Sequence, residues 1–278
     1  RAESASAEVE GGLKSLFAGF MLKLQTQHST RNQFRKVVEP QVSELINIIN
    51  DVTASLEQKT GKTVLVAIDD LERSTVAAAK KLFGDYLVSL RNPKCHIIYT
   101  VPVALMHENV WTNLDPHSWY IPNIKLHIKN SFSSKDEDGY ELMRTFIEKR
   151  MNLDLITSEA LDELITFSGG VFRQTCSLMQ IAVDYAEDKE KNQIGIEEVR
   201  SAAAEIANGL LPQLTTEDLD ILKEIAKDNG SQKAFEHSKL LHNLSVLRYP
   251  NDHTWHDINP VLREIVDAHE PSQPAKDA

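Results

Sequence analysis

The chain has 278 residues, 41% of them hydrophobic and 26% charged, enough for two or three domains with a sizeable core. Its formal net charge of −11 opposes unspecific attraction to DNA or to an anionic lipid surface. No apolar run approaches the ~18 residues of a membrane-spanning helix, so no membrane contact is expected.

The N-terminus lacks the basic and apolar regions of a signal peptide. Cys95 and Cys176, both expected in buried elements, are too few for a disulfide framework. A cytoplasmic setting is therefore expected. The first residue is Arg1, not Met, which suggests a fragment.

Residues 1 to 28 carry Leu13, Leu16, Phe17, Phe20, Met21 and Leu24 at helical spacing. Val37, Val42, Leu45, Ile46, Ile49, Val52 and Leu56 extend that pattern from about 31 to 59, with Pro40 at a helix start or kink. Arg31, Arg35 and Lys36 form a small basic face, by default a solvated one. Gly61 ends the element. Gly61-Lys62-Thr63 invites comparison with a phosphate-binding loop, which reads G-x-x-x-x-G-K-[ST] after a strand and before a helix. Here Leu56 replaces the first glycine, and the order is helix before and strand after. No other stretch fits the pattern.

Val64 to Ile68 is a continuous apolar run, as expected of a parallel strand buried on both faces. It stops in two carboxylates, Asp69 and Asp70, at the strand end where open α/β sheets bind ligands. A buried strand followed by an Asp helix cap would read the same way. With that alternative kept, Lys62 to Arg73 resembles the Walker B segment of P-loop ATPases of the AAA+ or STAND kind. The resemblance implies that Asp69 lies on the Mg²⁺ side of a bound ATP and that Asp70 polarises the attacking water. The second acid of AAA+ proteins is usually Glu, so Asp70, one methylene shorter, implies slow hydrolysis.

Ser74 is placed to cap a helix running to about Ser89, which Asn92-Pro93 breaks. Cys95 to Val101 reads as a second buried strand. Thr100 within it matches the sensor 1 position of the same families, which contacts the γ-phosphate or the water; Thr is also simply common in strands. Residues 106 to 120 read as a loop with a short helical piece. Ile121 to Ile128 alternates like a third strand, and the long connections argue for parallel pairing.

Ser133-Ser134-Lys135-Asp136 marks a domain boundary, and helices follow. Ser168-Gly-Gly-Val-Phe-Arg173 resembles the sensor 2 segment of AAA+ and STAND lids, in which an arginine reaches towards phosphate. A glycine helix terminus with an exposed arginine is the plainer alternative. From Thr215 the order is helix, helix, hairpin, helix, resembling the winged helix that follows the lid in STAND ATPases. Four histidines near the hairpin, at 237, 242, 253 and 256, lack a metal-site spacing. Lys233, Lys239 and Arg248 could face DNA, but residues 211 to 268 hold six Lys/Arg against ten Asp/Glu, so DNA is possible and not favoured.

The expected fold class is thus α/β. A parallel-sheet P-loop NTPase core, incomplete at its N-terminus, spans 1–132. A helical lid follows at 133–209, a winged helix at 210–268 and a disordered tail at 269–278. The resemblance implies a molecular switch that binds ATP or ADP with Mg²⁺ and hydrolyses ATP, here without the phosphate loop and so inactive as an isolated chain. Asp69 is the metal residue, Asp70 and Thr100 are catalytic, and Arg173 binds nucleotide. A protein partner or self-association is expected. A nucleotide-gated DNA-binding regulator and a non-catalytic scaffold are the alternatives.

Overall fold

The computed structural model describes residues 31–114, 118–129, 131–227, 238–249 and 254–270, with side chains from residue 42 onward. The chain falls into two compact units, one of Arg1–Leu105 with Thr112–Leu114, the other of Met106–Trp111 with Asp115–Ala278.

The first unit opens with α1, Arg31–Thr60, a single 30-residue helix that runs on through position 40. Gly61 terminates it with φ 64°, its N–H donating to Glu57 O. Strand β1, Leu65–Ile68, follows. After a 3₁₀ turn at Leu71–Arg73 come α2, Val76–Phe83, and α3, Leu87–Arg91. The cap of α2 is Thr75, one residue beyond the expected Ser74: its hydroxyl accepts from Ala78 N–H. Strand β2, His96–Tyr99, pairs parallel with β1 in the register Leu65↔His96 to Ile68↔Tyr99.

The expectation of strands buried on both faces is not met. Leu65 is 62% exposed and Ile98 55%. Among the described residues β1 and β2 form a two-stranded sheet, and its faces carry these exposed side chains.

The expected third parallel strand is also absent. Only His127–Ile128 is a strand (β3), and it pairs antiparallel with β4, Ser131–Lys135, inside the second unit. The backbone before β3 is committed elsewhere: Ile124 N–H donates to Gly170 O, and Leu126 O accepts from Asp136 N–H. Close approach requires glycine here, because a Cβ on Gly170 would lie 1.8 Å from Ile124 O. The stretch read as a polar boundary is therefore β4 and the cap of the next helix.

The second unit continues with α4 Glu137–Glu148, α5 Ser158–Ser168, α6 Phe172–Asp188 and α7 Ile196–Leu210. Their starts follow from local chemistry. Asp136 and Thr157 cap α4 and α5 through Gly139 N–H and Ala160 N–H. Glu198, fully buried, reaches back to Gly195 N–H at the start of α7 and accepts from Lys189 and Lys191 at 2.8 Å each. These bonds hold its carboxyl down at about 2. Leu161, Leu164, Ile165, Leu178, Ala182, Val199 and Ala202 form the core between α5, α6 and α7. The alanines let the helix backbones approach closely. Cys176, expected buried, lies on the exposed face of α6, and Cys95 is half-buried.

Next come α8 Thr216–Lys227, α9 Ser238–His242, the antiparallel pair β5 Val246–Tyr249 and β6 Trp255–Ile258, a 3₁₀ turn at Pro260–Leu262, and α10 Arg263–Ala268. Thr215 and Asp218 cap α8 reciprocally. The hairpin tip and residues 228–237 lie outside the described residues.

Tyr249 and Trp255 stack at 4.7 Å in a cluster with Leu247. His127 sits edge-on to both rings, and its Nε2–H donates to buried Asp257 at 2.7 Å. Arg263 donates to the same carboxylate oxygen at 2.7 Å while lying over Phe132. One acid therefore ties β3, β6 and α10 together.

Candidate functional site

The parallel register brings the carboxyl ends of β1 and β2 side by side, and Thr100 N–H donates to Ile68 O at 3.1 Å. Asp69 and Thr100 are thus the first residues beyond two adjacent strand ends, the usual ligand position of open α/β sheets. Asp69 is solvent-exposed.

Asp70 adopts a left-handed conformation, φ 65° and ψ 2°, which Asp tolerates better than most residues. That turn directs its carboxylate to Arg73 at 3.1 Å, with both side chains more than half exposed. An exposed pair of this kind contributes little stability, at most about 1 kcal/mol.

Thr100 is committed to the same loop. Its hydroxyl accepts from Leu71 N–H at 3.1 Å and donates to Glu72 Oε2 at 2.7 Å. A hydroxyl has one proton to give. Thr100 can therefore donate to a phosphate oxygen only after releasing Glu72.

Glu72 is the residue that sequence reasoning missed. Its signal was present as a third acid, three positions after Asp69, on the short turn that returns towards β2.

Arg173 stands in the second unit, exposed in the first turn of α6; Asp69, Asp70 and Thr100 stand in the first. The two glycines before it have positive φ, 56° and 70°. Tyr249 Oη donates to Gly169 O, and Gln174 exchanges paired hydrogen bonds with Asn259, both within the buried interior. The segment Ser168 to Gln174 is therefore held by the hairpin and the turn after it. Gln174 and Asn259 carried no sequence motif; they are legible only once the hairpin is placed.

The bases considered for DNA contact are engaged internally. Lys239 pairs with Asp218 at 2.7 Å. Arg248 lies over the Tyr120 ring at 4.2 Å and donates to Met106 Sδ and Thr254 Oγ1. Lys233 lies outside the described residues. His256, 1% exposed, faces Arg248 across the hairpin and His107 beyond, and burial followed by these neighbours lowers its pKa to about 4. No cluster of three metal-ligating side chains occurs among the described residues. No described helix is long and apolar enough to cross a membrane.

No family model matches the chain, and no curated protein matches it. Among solved structures it is faintly similar to the ORC2 protein of Aeropyrum pernix, determined as ADPNP–ADP complexes. The identity is 16% and the TM-score 0.37, over 80% of this chain and 67% of that one.

Proposed function

We propose that this chain is the carboxylate-bearing part of an ATP-binding, ATP-hydrolysing switch of the AAA+ or STAND kind. The observation that supports the reading most is the adjacency of Asp69 and Thr100 at the carboxyl ends of a parallel strand pair. Asp69 is the residue to hold Mg²⁺, and its exposed carboxylate suits a hard cation with oxygen ligands. Bound Mg²⁺ would neutralise charge on the phosphates.

The fit to nucleotide is partial. No stretch of the 278 residues matches a phosphate-binding loop, so this chain does not supply that cradle from a recognisable motif. Asp70 orients the attacking water in this reading. Its pairing with Arg73 at 3.1 Å and its short side chain hold it back from the water, so turnover in this reading is slow. Thr100 reports the γ-phosphate after exchanging Glu72 for it. Arg173 couples nucleotide occupancy to the helical lid, and the C-terminal helix–hairpin–helix region acts as a winged helix that packs against protein, in a cytoplasmic switch.

The test has two arms. Titration of the 278-residue chain with a fluorescent ATP analogue and Mg²⁺ should show weak binding or none; a nanomolar affinity would refute the partial-site reading. In the full-length natural protein, Mg²⁺-dependent ATP hydrolysis should be abolished by Asp69→Asn. Absence of hydrolysis there would favour a non-catalytic scaffold.

A further inference from the structure

The second unit carries an open apolar depression of about 530 Å³ between α4 and the start of α6, lined by Asp138, Glu141, Leu142, Thr145, Phe146 and Phe172. The Phe146 and Phe172 rings meet at 4.5 Å. Leu142 is 45% exposed and Phe172 39%, so large apolar groups face water here. Exposed aromatic anchors beside polar edges are typical of protein-binding sites. The two ionisable lining residues are both acids, Asp138 and Glu141, and both are exposed.

The chain itself contains a segment of complementary chemistry. From Gly11 to Val38 there is no Asp or Glu, but there are five basic residues: Lys14, Lys23, Arg31, Arg35 and Lys36. This stands out in a chain of net charge −11. At helical periodicity Leu13, Leu16, Phe17, Phe20 and Leu24 share one stripe about 100° wide, with Lys14 and Lys23 bordering it on opposite sides. Residues 13–24 lie outside the described residues, just before α1. That helix is about 45 Å long at 1.5 Å per residue. Bonds from Val64 N–H to Glu57 and from Lys94 N–H to Asn50 tie its C-terminal half to the strand pair.

We propose that residues 13–24 of one copy dock into the Leu142–Phe146–Phe172 depression of a second copy. The apolar stripe covers Phe172, Leu142 and the part of Phe146 that Arg150, 3.6 Å over that ring, leaves open, and Lys23 meets Asp138 and Glu141. This is the helix-in-groove mode of recognition. A contact this small is weak, with a Kd on the order of 10 µM.

Sedimentation velocity over a concentration series tests it with the full chain. Wild type should self-associate in a concentration-dependent way. Phe172→Asp should weaken association at least about tenfold. Asp suits the first turn of α6, so this variant should keep its helical circular dichroism. Lys23→Glu should weaken association similarly, and adding Glu141→Lys should restore it; a merely structural role for either residue would give no such rescue. A monomer at every concentration would overturn the proposal. So would association that is unchanged by Phe172→Asp. Binding of anionic lipid vesicles that is lost in Lys14→Glu/Lys23→Glu, with no self-association, would assign the segment to a membrane surface and overturn it too.

Discussion

Replacing Gly170 with alanine tests the contact that removes residues 121–126 from the sheet. Gly170 has φ 70°, and an added Cβ would lie 1.8 Å from Ile124 O and 2.7 Å from Ile124 C. The left-handed backbone alone costs an alanine about 1–2 kcal/mol. Relief of the clash must move Ile124 and break its 3.0 Å hydrogen bond to Gly170 O, which costs about 1 kcal/mol more. The sum is about 2–3 kcal/mol, a large share of a typical domain's stability.

Gly209→Ala is the control. It lies in α7 with nothing within 4 Å of the added Cβ, and no positive φ. Alanine should stabilise that helix by about 0.5–1 kcal/mol. All three tryptophans, Trp111, Trp119 and Trp255, belong to the second unit, so their fluorescence reports its unfolding selectively. In urea, with a slope of about 2 kcal/mol/M, Gly170→Ala should lower the midpoint by about 1–1.5 M and Gly209→Ala should raise it slightly. A Gly170→Ala midpoint within error of wild type would refute the close approach, and with it the explanation for the missing third strand.

Further outcomes are expected in the same unit. The folded protein keeps His256 neutral down to about pH 4, whereas the unfolded chain takes up that proton near 6.5. Stability should therefore fall by about 3 kcal/mol between pH 6.5 and 4, and urea melts of His256→Gln should lack that component. Glu198 acts with the same sign lower on the pH scale: its depressed pKa stabilises the fold above about 4.5, and the gain is lost as pH falls towards 2. Glu198→Gln should lower the melting temperature at pH 7 by several degrees, measured by calorimetry, because two lysines lose a buried partner. Tyr249→Phe removes the donor to Gly169 O and should cost about 1–2 kcal/mol in urea unfolding.

Much of the helical part was legible because its signals are local. Gly61 and Thr215 mark helix ends through bonds to residues within four positions, and both fall where the sequence places them. The alternation of Ile121 to Ile128 misled for the opposite reason. Whether such a segment joins a sheet depends on partners far along the chain, and Gly170, not a strand, takes Ile124's N–H. At the candidate site the adjacency of Asp69 and Thr100 follows from reading two consecutive parallel strands. The capture of Thr100 by Glu72 depends on how a three-residue turn folds back, which hydrophobic periodicity does not record.

The sharing of Asp257 by His127 and Arg263 has an evolutionary consequence. Loss of the carboxylate leaves the donors of His127 and Arg263 without their shared acceptor, while loss of either donor leaves the acid with a single side-chain partner. Natural variation at these three positions should be concerted, with apolar trios replacing the charged one wholesale and single exchanges selected against.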